Sequence, residues 1–127
     1  MKNTMSDASC ELMGDFFATL AHTTRMRIFC ALQREPKTVT EIATEAGISI
    51  TNASQHLRIM RDRGAVIAEK HAQSVRYHLA DMRLVEAAML IRAAILDHLR
   101  REAEQAGMRP ARRTSSEEKL RRQGAAM

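Results

Sequence analysis

Aromatic side chains are scarce in this chain: three Phe, one Tyr and no Trp, 3% of 127 residues. Five Gly and two Pro leave few tight turns or hairpins. These shortages argue against an all-β sandwich or a collagen-like chain, and an apolar fraction of 45% argues against a fully disordered one. No run of about 18 uncharged apolar residues occurs, so no transmembrane helix and no membrane partner are expected. The start of the chain, MKNTMSD, has no apolar segment, so no signal peptide is expected and the cytoplasm is the expected compartment. Two cysteines without such a signal point to thiols rather than a structural disulfide. A Gly-rich phosphate loop, a nucleophile–base pair and a motif of paired carboxylates are all missing, so neither an enzyme nor a cofactor is expected.

What remains is material for one compact helical domain built on Ala, Leu, Ile and Met. The net charge of +5 is uneven: residues 107–127 hold six basic and two acidic residues, leaving 14 and 13 in residues 1–106. High basicity is therefore a property of the tail and does not by itself indicate a nucleic-acid partner. Residues 1–7 read as a disordered N-terminus, 8–106 as the domain, and 107–127 as a basic, disordered tail.

Within the domain, Leu12, Met13, Phe16, Phe17 and Leu20 form a helical stripe from Ala8 to Leu20. A second helix, capped by Thr23 or Thr24 and preceded by His22 as a capping or packing residue, carries Met26, Ile28, Phe29, Ala31 and Leu32 and stops before Pro36. Thr38 or Thr40 caps a short third helix, Glu41 to Ala46, closed by Gly47. Ser49 opens a fourth, with Ala53, Leu57 and Met60 inward and Gly64 just past its end. Val66 and Ile67 start a strand, Ala72-Gln73-Ser74 turns it, and residues 75–79 alternate with period two. A long helix from Met82 to Ala103 follows, with an apolar stripe of Leu84, Ala88, Ile91, Ile95 and Leu99. The fold expected is mainly α with a small β-hairpin: a winged helix-turn-helix. Because the last stripe is too apolar to face water, a homodimer through the first and last helices is expected, with Leu12, Phe16 and Phe17 completing the interface.

The start of the fourth helix carries the functional signal. Thr51, Asn52, Ser54, Gln55 and His56 are short or planar hydrogen-bonding residues that suit base edges in a major groove. No carboxylate occurs from Ser49 to Met60, where a solvated face would ordinarily carry one and where phosphate would repel it. Arg58, with Arg61 and Arg63 beyond it, suits the phosphate backbone, and Lys70, His71 and Arg76 lie on the hairpin as a wing. The partner expected is double-stranded operator DNA.

The run from Leu20 to Ile28, LAHTTRMRI, resembles the ArsR/SmtB signature L-A-D-P-T-R-x-R-I, with His22-Thr23 in place of Asp-Pro. Ser54-Gln55-His56-Leu57, followed by Met60-Arg61 and Gly64, resembles S-Q-H-L-x-x-L-R-x-x-G, and residues 75–79 resemble the wing strand V-x-Y-x-L. The likeness covers about residues 10–100 and implies a homodimeric transcriptional repressor that leaves its operator when an inducer binds.

The metal sites associated with that family do not carry over. The thiolate site on the third helix needs a Cys-x-Cys-type pair, and Val39, Glu41 and Ile42 stand there instead. The zinc site on the last helix would fall on Asp81, Arg83, Ala94 and Asp97, where Arg and Ala supply no ligand. His98 and Glu102, at i and i+4, read as a solvated pair rather than as ligands.

Two candidate sensing residues remain, Cys10 and Cys30. The placement of Cys30 resembles one cysteine of the family's persulfide-sensing branch, but the partner position on the last helix is Leu96. With straight helices hinged at Thr23, the two cysteines stagger by about 9 Å at 1.5 Å per residue, more than a disulfide tolerates. Inert packing, a redox or reactive-sulfur switch, and arsenite or another thiophilic metal(loid) are the open alternatives.

Overall fold

The structure is a computed structural model describing residues 4–107 and 122–124. Apart from Gly107 and residues 122–124, the expected basic tail lies outside the described residues, as do residues 1–3. The first helix, α1 (Asp7–Leu20), begins one residue before the expected boundary because Ser6 caps it, accepting the Ser9 N–H at 3.3 Å.

The second helix, α2 (Thr23–Ala31), is capped by neither threonine but by His22, whose Nδ1 accepts the Thr24 N–H at 3.2 Å. An imidazole lone pair does here what a Ser or Asp oxygen does at most caps. A short strand, β1 (Lys37–Thr38), leads into α3 (Val39–Ala46). Thr38 and Glu41 close a reciprocal capping box, so α3 starts two residues earlier than expected. Gly47 then adopts φ +70°, and the Ile48 N–H reaches back to the Ala43 carbonyl at 3.0 Å. That left-handed step suits glycine and reverses the chain in three residues, Gly47 to Ser49.

The fourth helix, α4 (Ile50–Asp62), is followed by strands β2 (Val66–His71) and β3 (Ser74–Leu79). The sheet order is β1-β3-β2, all antiparallel, so the expected hairpin gains a third strand. Two residues have no readable period, which is why β1 leaves no trace in the sequence pattern. The core joins α2, α3, α4 and the hairpin base: Ile28, Ile42, Leu57, Met60 and Val66 are fully buried. Lys37 is also buried, and its Nζ pairs with Glu45 of α3.

The last helix, α5 (Arg83–Gln105), holds no buried residue. Taken by itself, it leaves Met89, Leu90, Ile91 and Ile95 exposed, Leu90 at 73%. Among the described residues, no helix is long and apolar enough to cross a membrane.

Candidate nucleic-acid interface

Ser49 sets the start of α4: its hydroxyl accepts the Asn52 N–H at 3.1 Å, leaving other first-turn N–H groups and the positive end of the helix dipole pointing outward. Ala53, Leu57 and Met60 are buried and anchor one face. At 100° per residue, Thr51, Gln55 and Arg58 then fall on the opposite face, with Ser54 and Asn52 on its flanks. All five are exposed. A rigid helix thus offers an outward row of hydroxyl, amide and guanidinium groups, with its first carboxylate at Asp62.

His56 departs from that row. Its position three after Ala53 and four before Met60 turns it toward the core edge, where it is half-buried with its Nδ1 buried and unpartnered. Its ring lies 4.9 Å from that of His22. Burial, and then the proximity of His22 and Arg25, push its pKa below the ordinary histidine value. The same i, i+3, i+4, i+7 spacing that marks the core of α4 was the signal for this placement.

The hairpin register separates the two basic wing residues. Lys70 pairs with Val75, and Arg76 pairs with Glu69 and Thr38. Because side chains alternate along a strand, Lys70 shares a face with Val66, Tyr77 and Leu79, and Arg76 shares the other with Glu69, His71 and His78. Arg76 also helps hold the Glu41 carboxyl below its usual range, after the dominant Thr38 hydrogen bonds. Lys70 stands one residue from the tip turn, where Ala72 takes φ +53°. Lys70 and Arg76 are therefore brought to one hairpin but not to one surface.

Asp81, expected at the lost zinc position, is engaged by its neighbour: the Arg83 backbone N–H donates to Oδ1 at 2.8 Å and its Nη2 to Oδ2 at 2.8 Å. These bonds hold the carboxyl at about 2. His98 Nε2 lies 3.2 Å from the Glu102 carboxylate, both exposed. Among the described residues, no group of three or more His, Cys, Asp or Glu is placed to hold a metal ion. Cys10 is exposed on α1, and Cys30 is half-buried on α2, where burial raises its pKa.

Three-helical packing, a three-residue turn into an outward-facing helix and a β-hairpin define a winged helix-turn-helix protein. Residues 20–69 match a family described as a helix-turn-helix domain. The chain is 34% identical over 83 residues to the probable mercury resistance operon repressor of Streptomyces lividans, covering 65% of this chain and 66% of that one. It is 32% identical over 95 residues to the transcriptional repressor SmtB homolog of Synechocystis, covering 75% and 69%. A solution structure from Mycobacterium bovis, described as the homodimeric winged helix-turn-helix DNA-binding domain of a possible ArsR-family regulator, superposes with TM-score 0.67 at 25% identity. That match covers 78% of this chain and 94% of the other. This chain belongs to the ArsR/SmtB family of transcriptional repressors.

Proposed function

We propose that the protein is a homodimeric repressor that reads operator DNA with α4 and leaves it when an inducer binds. The observation that carries this reading is the exposed, carboxylate-free row Thr51, Asn52, Ser54, Gln55 and Arg58 on a helix whose opposite face is fully packed. In this reading Thr51, Asn52, Ser54 and Gln55 meet base edges, Gln55 being suited to bidentate contact with adenine, and Arg58 and Lys70 meet phosphate. His56 supports α4 from its inner flank, and Arg76, opposite Glu69 and close to Glu41, adds less to phosphate binding than its charge suggests.

The dimer is supported by exposed apolar surface on two helices, each considered alone. On α1, Leu12 is 71% exposed and Phe17 47%; on α5, a 23-residue helix buries nothing. Apolar stripes of that kind mark interaction surfaces, and the M. bovis relative is described as homodimeric. Two α4 helices related by a two-fold axis would then meet successive major grooves about 34 Å apart.

The inducer is proposed to act through the thiols. Cys10 is open to a reagent in water, whereas burial keeps Cys30 in its less nucleophilic thiol form, so Cys10 reacts first. A soft metal ion is the second reading, favoured by the likeness to a mercury resistance operon repressor.

Fluorescence anisotropy with DNA from upstream of the protein's own gene tests the first claim. At least tenfold tighter binding than to scrambled DNA of equal length is expected, and equal binding to both overturns sequence-specific repression. Repeating the titration with persulfide-treated or mercury-loaded protein tests the second. Weakened binding that Cys10→Ser abolishes is expected; an unchanged response in that variant removes Cys10 as the reacting thiol, and an unchanged response in the Cys10→Ser/Cys30→Ser double variant removes the thiol reading.

A further inference from the structure

We propose that His22 is a positioning residue for α4, and that the His22–His56 pair makes the docking of α4 on α2 proton-sensitive, the helix loosening on acidification. The reading-helix role of α4 is taken from the function proposed above; the docking step itself does not depend on it.

The geometry is specific to the neutral rings. His22 uses its Nδ1 lone pair to cap α2, so a proton on that nitrogen removes the cap. The two imidazole centroids lie 4.9 Å apart, tilted by 46°. His56 Nδ1 is buried with no partner, and so is the Nε of Arg25. An imidazolium at His56 would therefore carry a buried N–H with nothing to accept it, beside a second imidazole and a guanidinium. Buried polar hydrogens left unpaired, and like charges brought together, both disfavour the charged form.

The other elements against α4 do not compensate. α1, α3 and β2 also pack on it, yet the charged groups acting on His56 are His22 and Arg25 alone among the described residues. The lowered pKa of His56 agrees with the geometry. Linkage then fixes the sign. A histidine whose folded pKa lies below its unfolded value leaves stability untouched above the unfolded value, near 6.5. Stability falls as pH drops from there through the folded value. The departure at position 22 adds to the effect of burial: the family pattern has Asp where this chain has His22, and a carboxylate beside His56 would favour its protonation instead.

The effect on DNA binding is distinguishable from generic electrostatics. Acidification makes a protein more positive as a whole, which strengthens attraction to phosphate. Loosening of α4 acts in the opposite direction.

The test uses the full chain and the variant His22→Asp, which keeps a good N-cap residue, with His22→Ser as a cap-preserving control without charge. Histidine ring NMR signals are titrated from pH 5 to 8, urea midpoints are measured at pH 5.5 and 7.5, and DNA affinity at the same two values. The expected result is a His56 midpoint below that of an ordinary histidine, moving above it in His22→Asp and upward less in His22→Ser. The urea midpoint of the parent falls at pH 5.5 and that of His22→Asp does not. DNA affinity of the parent falls threefold or more at pH 5.5. A His56 midpoint at or above the ordinary value, or one unmoved by His22→Asp, overturns the proposal. The expected lowered titration with affinity unchanged or raised at pH 5.5 overturns the step from docking to DNA. Absence of sequence-specific binding at both pH values instead overturns the function proposed above, while ring titration and unfolding still decide the proton-sensitive docking.

Discussion

Cys30 sits between Phe29 and Ala31, both buried, and shares enough of their surroundings that its thiol holds its proton more tightly than a free cysteine. Cys10 lies exposed on α1. Because the thiolate is the reacting species, a maleimide at pH 7.5 is expected to modify Cys10 at least tenfold faster than Cys30, read by peptide mass spectrometry; equal rates would contradict the burial argument. Residue types at the start of α4 made its outward row legible from the sequence, since Thr51, Asn52, Ser54 and Gln55 are all exposed polar side chains opposite the buried face. His56 shares their hydrogen-bonding chemistry, although its spacing from Ala53 and Met60 places it at the edge of the core. His22 was readable as a capping or packing residue but not as the cap of α2, because histidine is an uncommon helix cap and Thr23 and Thr24 beside it are better candidates on propensity. Packing decides the centre of α4 more firmly. Leu57 is fully buried, and Leu57→Ala is expected to cost about 2–5 kcal/mol in urea unfolding.

At the scale of the element, the wing carries a proton dependence opposite to that of α4. His78 faces an acceptor at each ring nitrogen: the Leu79 carbonyl oxygen lies 2.9 Å from Nδ1, and a Glu69 oxygen lies 3.1 Å from Nε2. Only the imidazolium donates to both. Its pKa is accordingly raised, first by the Leu79 hydrogen bond, against the opposing effect of burial, and then by Glu69. A raised folded value means the added stability is complete below the unfolded value near 6.5 and disappears as pH rises through the folded one. Amide hydrogen exchange in β2 and β3, corrected for intrinsic rates, should therefore show protection falling between pH 6 and 8 in the parent and a flat profile in His78→Gln. The same register argument orders the wing cations: Lys70→Ala is expected to weaken DNA binding and reduce its salt slope by about one, and Arg76→Ala by less. The second strand of the hairpin was legible from alternation and the first from its apolar start at Val66 and Ile67, but which face each residue takes became definite only with the pairing of Glu69 with Arg76. β1 was not legible because its two residues are fixed by pairing with Tyr77 and Arg76, partners almost 40 positions away in sequence.

At the scale of the whole molecule, the protomer's apolar stripes require a second chain in the proposed account. The period of α5 was clear from Leu84 to Leu99, and its exposed face, with Leu90 at 73% and Ile95 at 50%, gives that period a use. A charge placed there should leave each wing and helix-turn-helix folded while separating the protomers. Ile95→Glu is expected to shift the particle from dimer to monomer in light scattering and to weaken operator binding at least tenfold, since each half would bind alone. A variant that remains dimeric would place the interface elsewhere. The opposed histidines also meet at this scale: His56 disfavours acid and His78 favours it, so operator affinity should be greatest in a window around neutral pH rather than rising steadily as the protein gains charge.

The central claim is that α4 reads base sequence while flanking cations supply sequence-independent attraction. Its most direct test is a set of anisotropy titrations of the parent, Gln55→Ala and Arg58→Ala against the bound site and single-base-pair variants of it. Gln55→Ala should lose about 1–3 kcal/mol of discrimination at one position in each half-site and keep it elsewhere. Arg58→Ala should weaken every sequence alike and lower the salt slope by about one. Uniform weakening by Gln55→Ala, with discrimination intact at every position, would contradict the assignment of α4 as the reading helix.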